Sequence, residues 1–266
     1  PVLFLRTITS HMYAELHCIS NYSFLRGASH PEELVKQAAS LGYSAIAITD
    51  ECTMAGVVKA HVAAKESGIK LIVGSEFRLD EELLLVLIAP NRIAYGQICN
   101  LITIARRRAD KGEYRISIKD LEVTTSQCLA IWIPGKAISS KEKEQHYKNS
   151  KKLKDIFGGR LWLGLEVFPD GQSIGCYEHA FNLSRRFGLP LVASGDVHMH
   201  HPGRGALLDI ISAIRMRQSI RLAGRLLFSN REKYLRTYPT LSQLYPAGLL
   251  SASIHIADLC QFSLDE

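Results

Sequence analysis

With 266 residues, 47% of them hydrophobic and 22% charged, the chain can bury a full core, and one α/β barrel would use nearly all of it. No apolar run approaches the roughly 18 residues that span a bilayer. Six scattered cysteines without a Cys-x-x-Cys pair argue against a zinc ribbon or a disulfide framework and for a reducing cytoplasm. The net charge of +6 permits a nucleic-acid partner without demonstrating one.

The opening segment is too short and wrongly flanked for a signal peptide. Residues 1–12 are therefore set aside as upstream sequence that need not be native. The first strand is expected over Tyr13–His17, followed by a loop from Ser20 to Gly27. Ser29-His30-Pro31-Glu32 reads as a capping box with proline in the first turn. It opens a helix to about Leu41 whose apolar stripe is Leu34, Val35, Ala38 and Leu41. Gly42 ends that helix, and a second strand follows over Ser44–Thr49. A helix over Met54–Ser67, stopped by Gly68, leads to a third strand over Lys70–Glu76. This βαβαβ order predicts parallel pairing with right-handed crossovers.

Leu83–Ala89 is a fourth strand stopped by Pro90, and helices are expected over Ala94–Arg108 and Ile118–Val123. Leu129–Ile133 is a fifth strand ended by Pro134-Gly135. Lys141–Asp155 reads as an exposed helix and Leu161–Val167 as a sixth strand. Helix Cys176–Phe187 stops at Gly188, before a seventh strand over Leu189–Ser194. Seven strands alternating with helices predict a closed or nearly closed β/α barrel over residues 13–200. Residues 201–266 read as a mainly helical extension: Arg204–Met216, Leu241–Leu244 and Ser251–Cys260. The final residues carry no terminating signal, so the chain is expected to continue.

In such a fold the C-terminal strand ends open onto one face. His17, Glu76 and the pair Asp196-x-His198 all stand where an apolar run stops. A carboxylate such as Glu76 at the end of a buried strand needs a cation or strong donors. His17 alone reads equally well as a hydrogen-bonded structural histidine. Asp196 and His198 share one face of an extended segment, a spacing that suits two ligands, or one ligand and its supporting partner. Four nitrogen and oxygen donors suit zinc, manganese or iron better than calcium, and phosphoester hydrolysis is the chemistry such ions serve.

Other features carry less. Arg106-Arg107-Arg108 with Lys111 could hold phosphates, but basic residues at a helix C-terminus more often form a solvated face. Lys151, Lys152 and Lys154 read the same way. In His198-Met199-His200-His201, adjacent side chains point apart, so only His198 is a candidate ligand. No P-loop, Gly-x-Ser-x-Gly or Gly-x-Gly-x-x-Gly motif is present.

Three stretches in order, Leu16-His17-Cys18-Ile19-Ser20-Asn21-Tyr22-Ser23-Phe24-Leu25-Arg26-Gly27-Ala28-Ser29-His30-Pro31-Glu32-Glu33-Leu34, Ile48-Thr49-Asp50-Glu51-Cys52 and Ala105-Arg106-Arg107-Arg108-Ala109, resemble one family. It is the PHP domain (polymerase and histidinol phosphatase) of bacterial C-family DNA polymerases, in its error-prone branch. The resemblance covers Tyr13 to Glu266. It implies a distorted seven-stranded β/α barrel at the N-terminus of a much longer DNA-directed DNA polymerase, a nucleotidyltransferase of damage repair and translesion synthesis. Its Mg²⁺ sites, deoxynucleoside triphosphates and primer-template groove would lie beyond Glu266.

Active PHP domains hold a cluster of metals. Carried over by position, His17, Glu76, Asp196 and His198 match the ligand set. Ile19 stands where the second histidine of His-x-His is expected, Arg26 at an acidic position, and Glu51 in place of the histidine of Thr-Asp-His. Leu84 stands for a histidine and Gly135 for a cysteine or histidine. Isoleucine and leucine cannot ligate, and Arg26 brings a positive charge suited to Glu76, Glu51 or Asp196. The expectation is a degenerate site with one weakly held zinc or manganese ion at most, or an ion-pair network instead. The module itself would be inactive, supporting its polymerase core, meeting DNA through the whole enzyme, and offering a surface to accessory subunits, with no membrane involved. The alternative is a metal-dependent phosphoesterase or 3′–5′ exonuclease of PHP type; a third reading is a nucleic-acid-binding module using Arg106, Arg107 and Arg108.

Overall fold

The computed structural model describes residues 13–79, 83–135, 139–168, 173–224, 227 and 231–266; the segment 1–12 lies outside them. Seven strands pair in sequence order: β1 (Ala14–Glu15), β2 (Ala45–Ile48), β3 (Lys70–Arg78), β4 (Leu84–Ile88), β5 (Leu129–Ile133), β6 (Leu161–Glu166) and β7 (Leu191–Ser194). Side chains of a strand alternate between faces, and β2 shows what that does here. Ala45 and Ala47 point into one buried cluster with Ala14, Leu16, Ile72, Val86, Ile88, Ile131, Trp162 and Val192, which fills the barrel. Ile46 and Ile48 point outward into a second cluster.

Helices cover that outer face. α1 (Pro31–Ser40) and α2 (Val57–Ser67) bring Leu34, Val35, Ala38, Ala60 and Ala63 onto β2. α3 (Arg92–Arg107), α4 (Ile118–Thr124) and α5 (Ser140–Phe157) cover Phe77, Leu85, Leu87 and Trp132 with Ile98, Leu101, Leu121, Leu153 and Phe157. After α6 (Ser173–Phe187) and β7, the chain continues through α7 (Gly205–Arg215), α8 (Ile220–Ala223), α9 (Tyr238–Leu244) and α10 (Ala247–Leu259). No helix among the described residues is long and apolar enough to cross a membrane.

Strands do not alternate with helices throughout. β3 runs directly into β4, which is antiparallel to both β3 and β5; the other pairs are parallel. The five residues 79–83 explain it, because a parallel crossover needs roughly a dozen or more. The reversal brings the first residue of β4, Leu84, to the end where the parallel strands finish, beside Arg78 and Ile133.

The helix caps also differ in detail. α1 is capped by His30, whose N–H donates to Glu33 Oε2 at 2.9 Å. The expected cap, Ser29, instead takes the His200 N–H at 2.9 Å and sits 2.8 Å from His200 Nδ1. That contact moves the helix start by one residue.

Between β1 and β7 the barrel closes in two ways. At the mouth, Val197 N–H donates to the His17 carbonyl (3.0 Å) and Ile19 N–H to the Val197 carbonyl (2.9 Å). At the opposite end α10 fills the gap: Ser253 Oγ accepts the Ala14 N–H at 3.1 Å, and Ile256, Ala257 and Cys260 join the barrel core.

Candidate metal centre

β1 is short because Glu15 draws the chain out of register at its end. Its buried Oε1 accepts N–H groups from His17 and from Gly195 across the seam, both at 3.0 Å. Gly195 has no alternative: a Cβ there would lie 2.1 Å from Glu15 Oε2. The next residue, Asp196, then adopts a left-handed φ of 44°, unusual for a residue with a side chain. Asp196-x-His198 is therefore not an extended segment presenting one face. The kink nevertheless joins the two, with Asp196 Oδ1 2.8 Å from His198 Nε2.

His17 turns into the mouth between two acids. Its Nε2 lies 2.7 Å from Glu76 Oε2 and its Nδ1 2.8 Å from Glu166 Oε1. An imidazole satisfies carboxylates at both nitrogens only when both carry protons. Burial alone would push the His17 pKa down, but the bonds to Glu166 and Glu76 carry it up to about 10.

Arg26 occupies the other side of Glu76. Its Nη1 donates to Glu76 Oε1 and, at 2.5 Å, to Glu51 Oε2. Tyr114 Oη donates to Glu51 Oε1 at 2.9 Å. The loop that carries Arg26 is fixed by Asp50, which accepts from Ser20 N–H, Ser20 Oγ and Ser23 Oγ, each at 2.7 Å. Burial would raise the Glu76 pKa, yet Arg26 and His17 hold it well below the usual carboxylate range. Asp196 shows the same pattern: burial opposes ionisation, and the Lys233 ammonium bonded to its Oδ2, with His198, more than offsets it. Burial, reinforced by Lys233, pushes His198 down to about 4, so it is neutral at pH 7.

The mouth thus gathers every sequence-derived candidate ligand, His17, Glu76, Asp196 and His198, together with Glu51 and Arg26. Sequence reasoning passes over two more. Glu166 ends β6 as Glu76 lies in β3, and the same strand-end logic points to it. Lys233 lies outside any helix or strand, and no spacing signals it. Arg106, Arg107 and Arg108 are not a free cationic row. Arg106 donates to the carbonyls of Glu51, Cys52, Gly112 and Glu113 and lies over the Tyr114 ring. Arg108 pairs with Asp120 at 2.8 Å, while Arg107 is exposed.

Does this donor set fit a cluster of metals? It does not. Ile19 and Leu84 offer no donor atom, and Arg26 and Lys233 already neutralise Glu76, Glu51 and Asp196. One grouping among the described residues could hold a single ion: ligand atoms of His17, Glu166 and Asp196 lie within 4.8 Å of one another. There the His17 nitrogen and the Lys233 ammonium supply the positive charge that an ion would bring.

The sequence pattern of the PHP domain matches residues 15–163. The error-prone DNA polymerase of Methylococcus capsulatus is 48% identical over 256 residues, and that of Dechloromonas aromatica 46% identical over 259. Each alignment covers 96% of this chain but 24% of the polymerase, so the chain spans about a quarter of these relatives. Among solved structures, an amidohydrolase from Chromobacterium violaceum with bound sulfate and no metal superposes with a TM-score of 0.56. It is 15% identical, with 70% of this chain and 88% of that one covered, and shares the fold.

Proposed function

The chain belongs to the PHP domain family, and on that premise we propose that it is the N-terminal module of an error-prone DNA-directed DNA polymerase. The module is non-catalytic, residues 13–200 forming its barrel and 201–266 its helical end. Its metal site has degenerated into an ion-pair network. The observation that supports this reading best is Arg26, whose guanidinium lies between Glu76 and Glu51, where a divalent ion would need the two carboxylates for itself. One zinc or manganese ion at most would be held, on His17, Glu166 and Asp196.

Mg²⁺, deoxynucleoside triphosphates and the DNA substrate belong to the remainder of a parent chain that works in the cytoplasm, copying across damaged template. The module stabilises that core and offers a surface to accessory subunits. Metal analysis of the purified chain tests the reading, combined with phosphodiesterase and nucleotide-incorporation assays. The expected outcome is no more than one metal ion per chain, background hydrolysis and no incorporation. The three-residue grouping at His17 favours a second reading, a PHP-type metal-dependent phosphoesterase or 3′–5′ exonuclease. Two or more ions per chain with robust turnover would establish it and overturn the first.

A further inference from the structure

On the outer face of the barrel, α5 and α6 meet through a pair of histidines that the mouth does not use. His146 Nδ1 lies 2.7 Å from His179 Nε2, and the ring centroids are 5.0 Å apart. His179 is buried and His146 half-buried. Trp132 of β5 stands nearly perpendicular to the His146 ring, with centroids 5.7 Å apart, and gives the pair an apolar floor.

Two neutral imidazoles in this contact share one proton, one ring donating and the other accepting. Burial pushes the His146 pKa down, partly opposed by Glu142; burial, His146 and Lys143 together push His179 down. Both rings are therefore uncharged at pH 7, the state in which imidazole ligates a metal. Nitrogens aimed at each other are also aimed at one point between them. A tetrahedral zinc-class ion, with nitrogens at about 2.0–2.1 Å, holds two of them roughly 3.3 Å apart. The rings would have to part by only about half an ångström to admit it.

Two donors meet here, one fewer than in the grouping at the mouth, so a third has to turn in. Cys176 stands three residues before His179 on α6, and Glu142 four before His146 on α5. Each therefore shares its histidine's side of the helix. Cys176 is half-buried, and Glu142 Oε2 accepts the Ser139 N–H that opens α5. Thiolate with imidazole selects zinc over magnesium, calcium or manganese. We propose that His146, His179 and Cys176 form a zinc-class metal site that staples α5 to α6, with Glu142 adding negative charge beside it. On binding, the shared proton moves to the far nitrogen of the ring that carries it. Each facing nitrogen then gives its lone pair to the ion, and the Cys176 thiol releases its proton to water. The site lies apart from the mouth, whose acids Arg26 and Lys233 already neutralise. A single ion here keeps the total within one per chain.

Cobalt(II) titration of the metal-free 266-residue chain, which closes and plugs its own barrel, tests the proposal by visible and near-ultraviolet absorption. One equivalent is expected to give tetrahedral cobalt bands that zinc then abolishes by displacement. His146→Gln and His179→Gln are each expected to weaken binding at least about tenfold. Cys176→Ser leaves the histidine pair in place and is expected to remove the sulfur-to-cobalt charge-transfer band. Zinc should raise the melting temperature of the parent chain and not that of either histidine variant, each first checked for cooperative melting without metal. His17→Asn is expected to change none of this. Absence of cobalt bands, or bands that survive both histidine substitutions, would overturn the site while leaving the non-catalytic reading intact. Bands lost in His17→Asn but kept in His146→Gln and His179→Gln would also overturn it, by placing the ion at the mouth; only phosphodiesterase turnover with that ion would then count against the non-catalytic reading.

Discussion

The Arg26 guanidinium rests on the carboxylate of Glu76, a side chain with no exposure to solvent. Two charges so placed hold each other in the interior, because Glu76 has no water to turn to and Arg26 is only 8% exposed. Removing one partner of a buried pair costs about 3–5 kcal/mol, whereas replacing both by apolar groups can be neutral. Arg26→Gln should therefore lower the urea-unfolding free energy by about 3–5 kcal/mol. Arg26→Met combined with Glu76→Met should recover only part of it, because His17 Nε2 and Glu51 Oε2 then lose a partner each. Equal losses in the single and double variants would show that the pair is not what holds this part of the mouth.

His17 gives the stability a particular dependence on pH. Its folded pKa of about 10 exceeds the unfolded value of about 6.5. The stabilisation is thus complete below about pH 6.5 and is lost as pH rises toward 10, with a slope approaching 1.4 kcal/mol per pH unit. Between about pH 6.5 and 8, before unfolded thiols begin to ionise, the slope should flatten in His17→Asn. Unfolding free energies measured across that window decide the matter; an unchanged slope would remove the imidazolium from the account.

Gly195 is the position where the seam tolerates no side chain. Because an added Cβ would meet Glu15 Oε2 at 2.1 Å, Gly195→Ala has to displace a buried carboxylate that receives two backbone N–H groups. A loss of about 2 kcal/mol or more is expected, within the range for overpacking of an interior. Chemical denaturation checks it, and a neutral substitution would mean that Glu15 can move freely.

The plug should be equally sensitive at its polar contact with β1. Ser253→Ala leaves the Ala14 N–H without the acceptor it has at 3.1 Å, at a cost of about 1–3 kcal/mol for a buried donor. Hydrogen exchange at Ala14 should accelerate in parallel. Destabilisation without faster exchange there would place the effect elsewhere in α10.

Most of the barrel is legible in the sequence because burial on both sides leaves apolar runs, and glycines such as Gly42, Gly68 and Gly188, all with positive φ, mark where helices stop. The reversal of β4 was also within reach, since the short connection after Arg78 leaves no room for a crossover helix. The site divides differently. Polar side chains where an apolar run stops, such as His17, Glu76 and by the same logic Glu166, announce themselves by their position. Lys233 does not, because its contact with Asp196 depends on how residues beyond the barrel fold back, and no local pattern encodes that. Likewise the arginine row at 106–108 reads as one charged face, yet the backbone carbonyls of Glu51 and Cys52 claim its first member.

The seam between β1 and α10 has a consequence for the order in which the protein is made. Ala14 and Ser253 are 239 residues apart, and Cys18 meets Val197 across the same gap. Synthesis proceeds from the N-terminus at about 5–20 residues per second, so Ala14 waits on the order of 10–50 s for its partner. Until Val197 and then Ser253 emerge, β1 can pair with β2 on one side only, and until Lys233 emerges Asp196 lacks its ammonium partner. The barrel's first strand lies near the start of these 266 residues, and the helix that plugs it lies near their end.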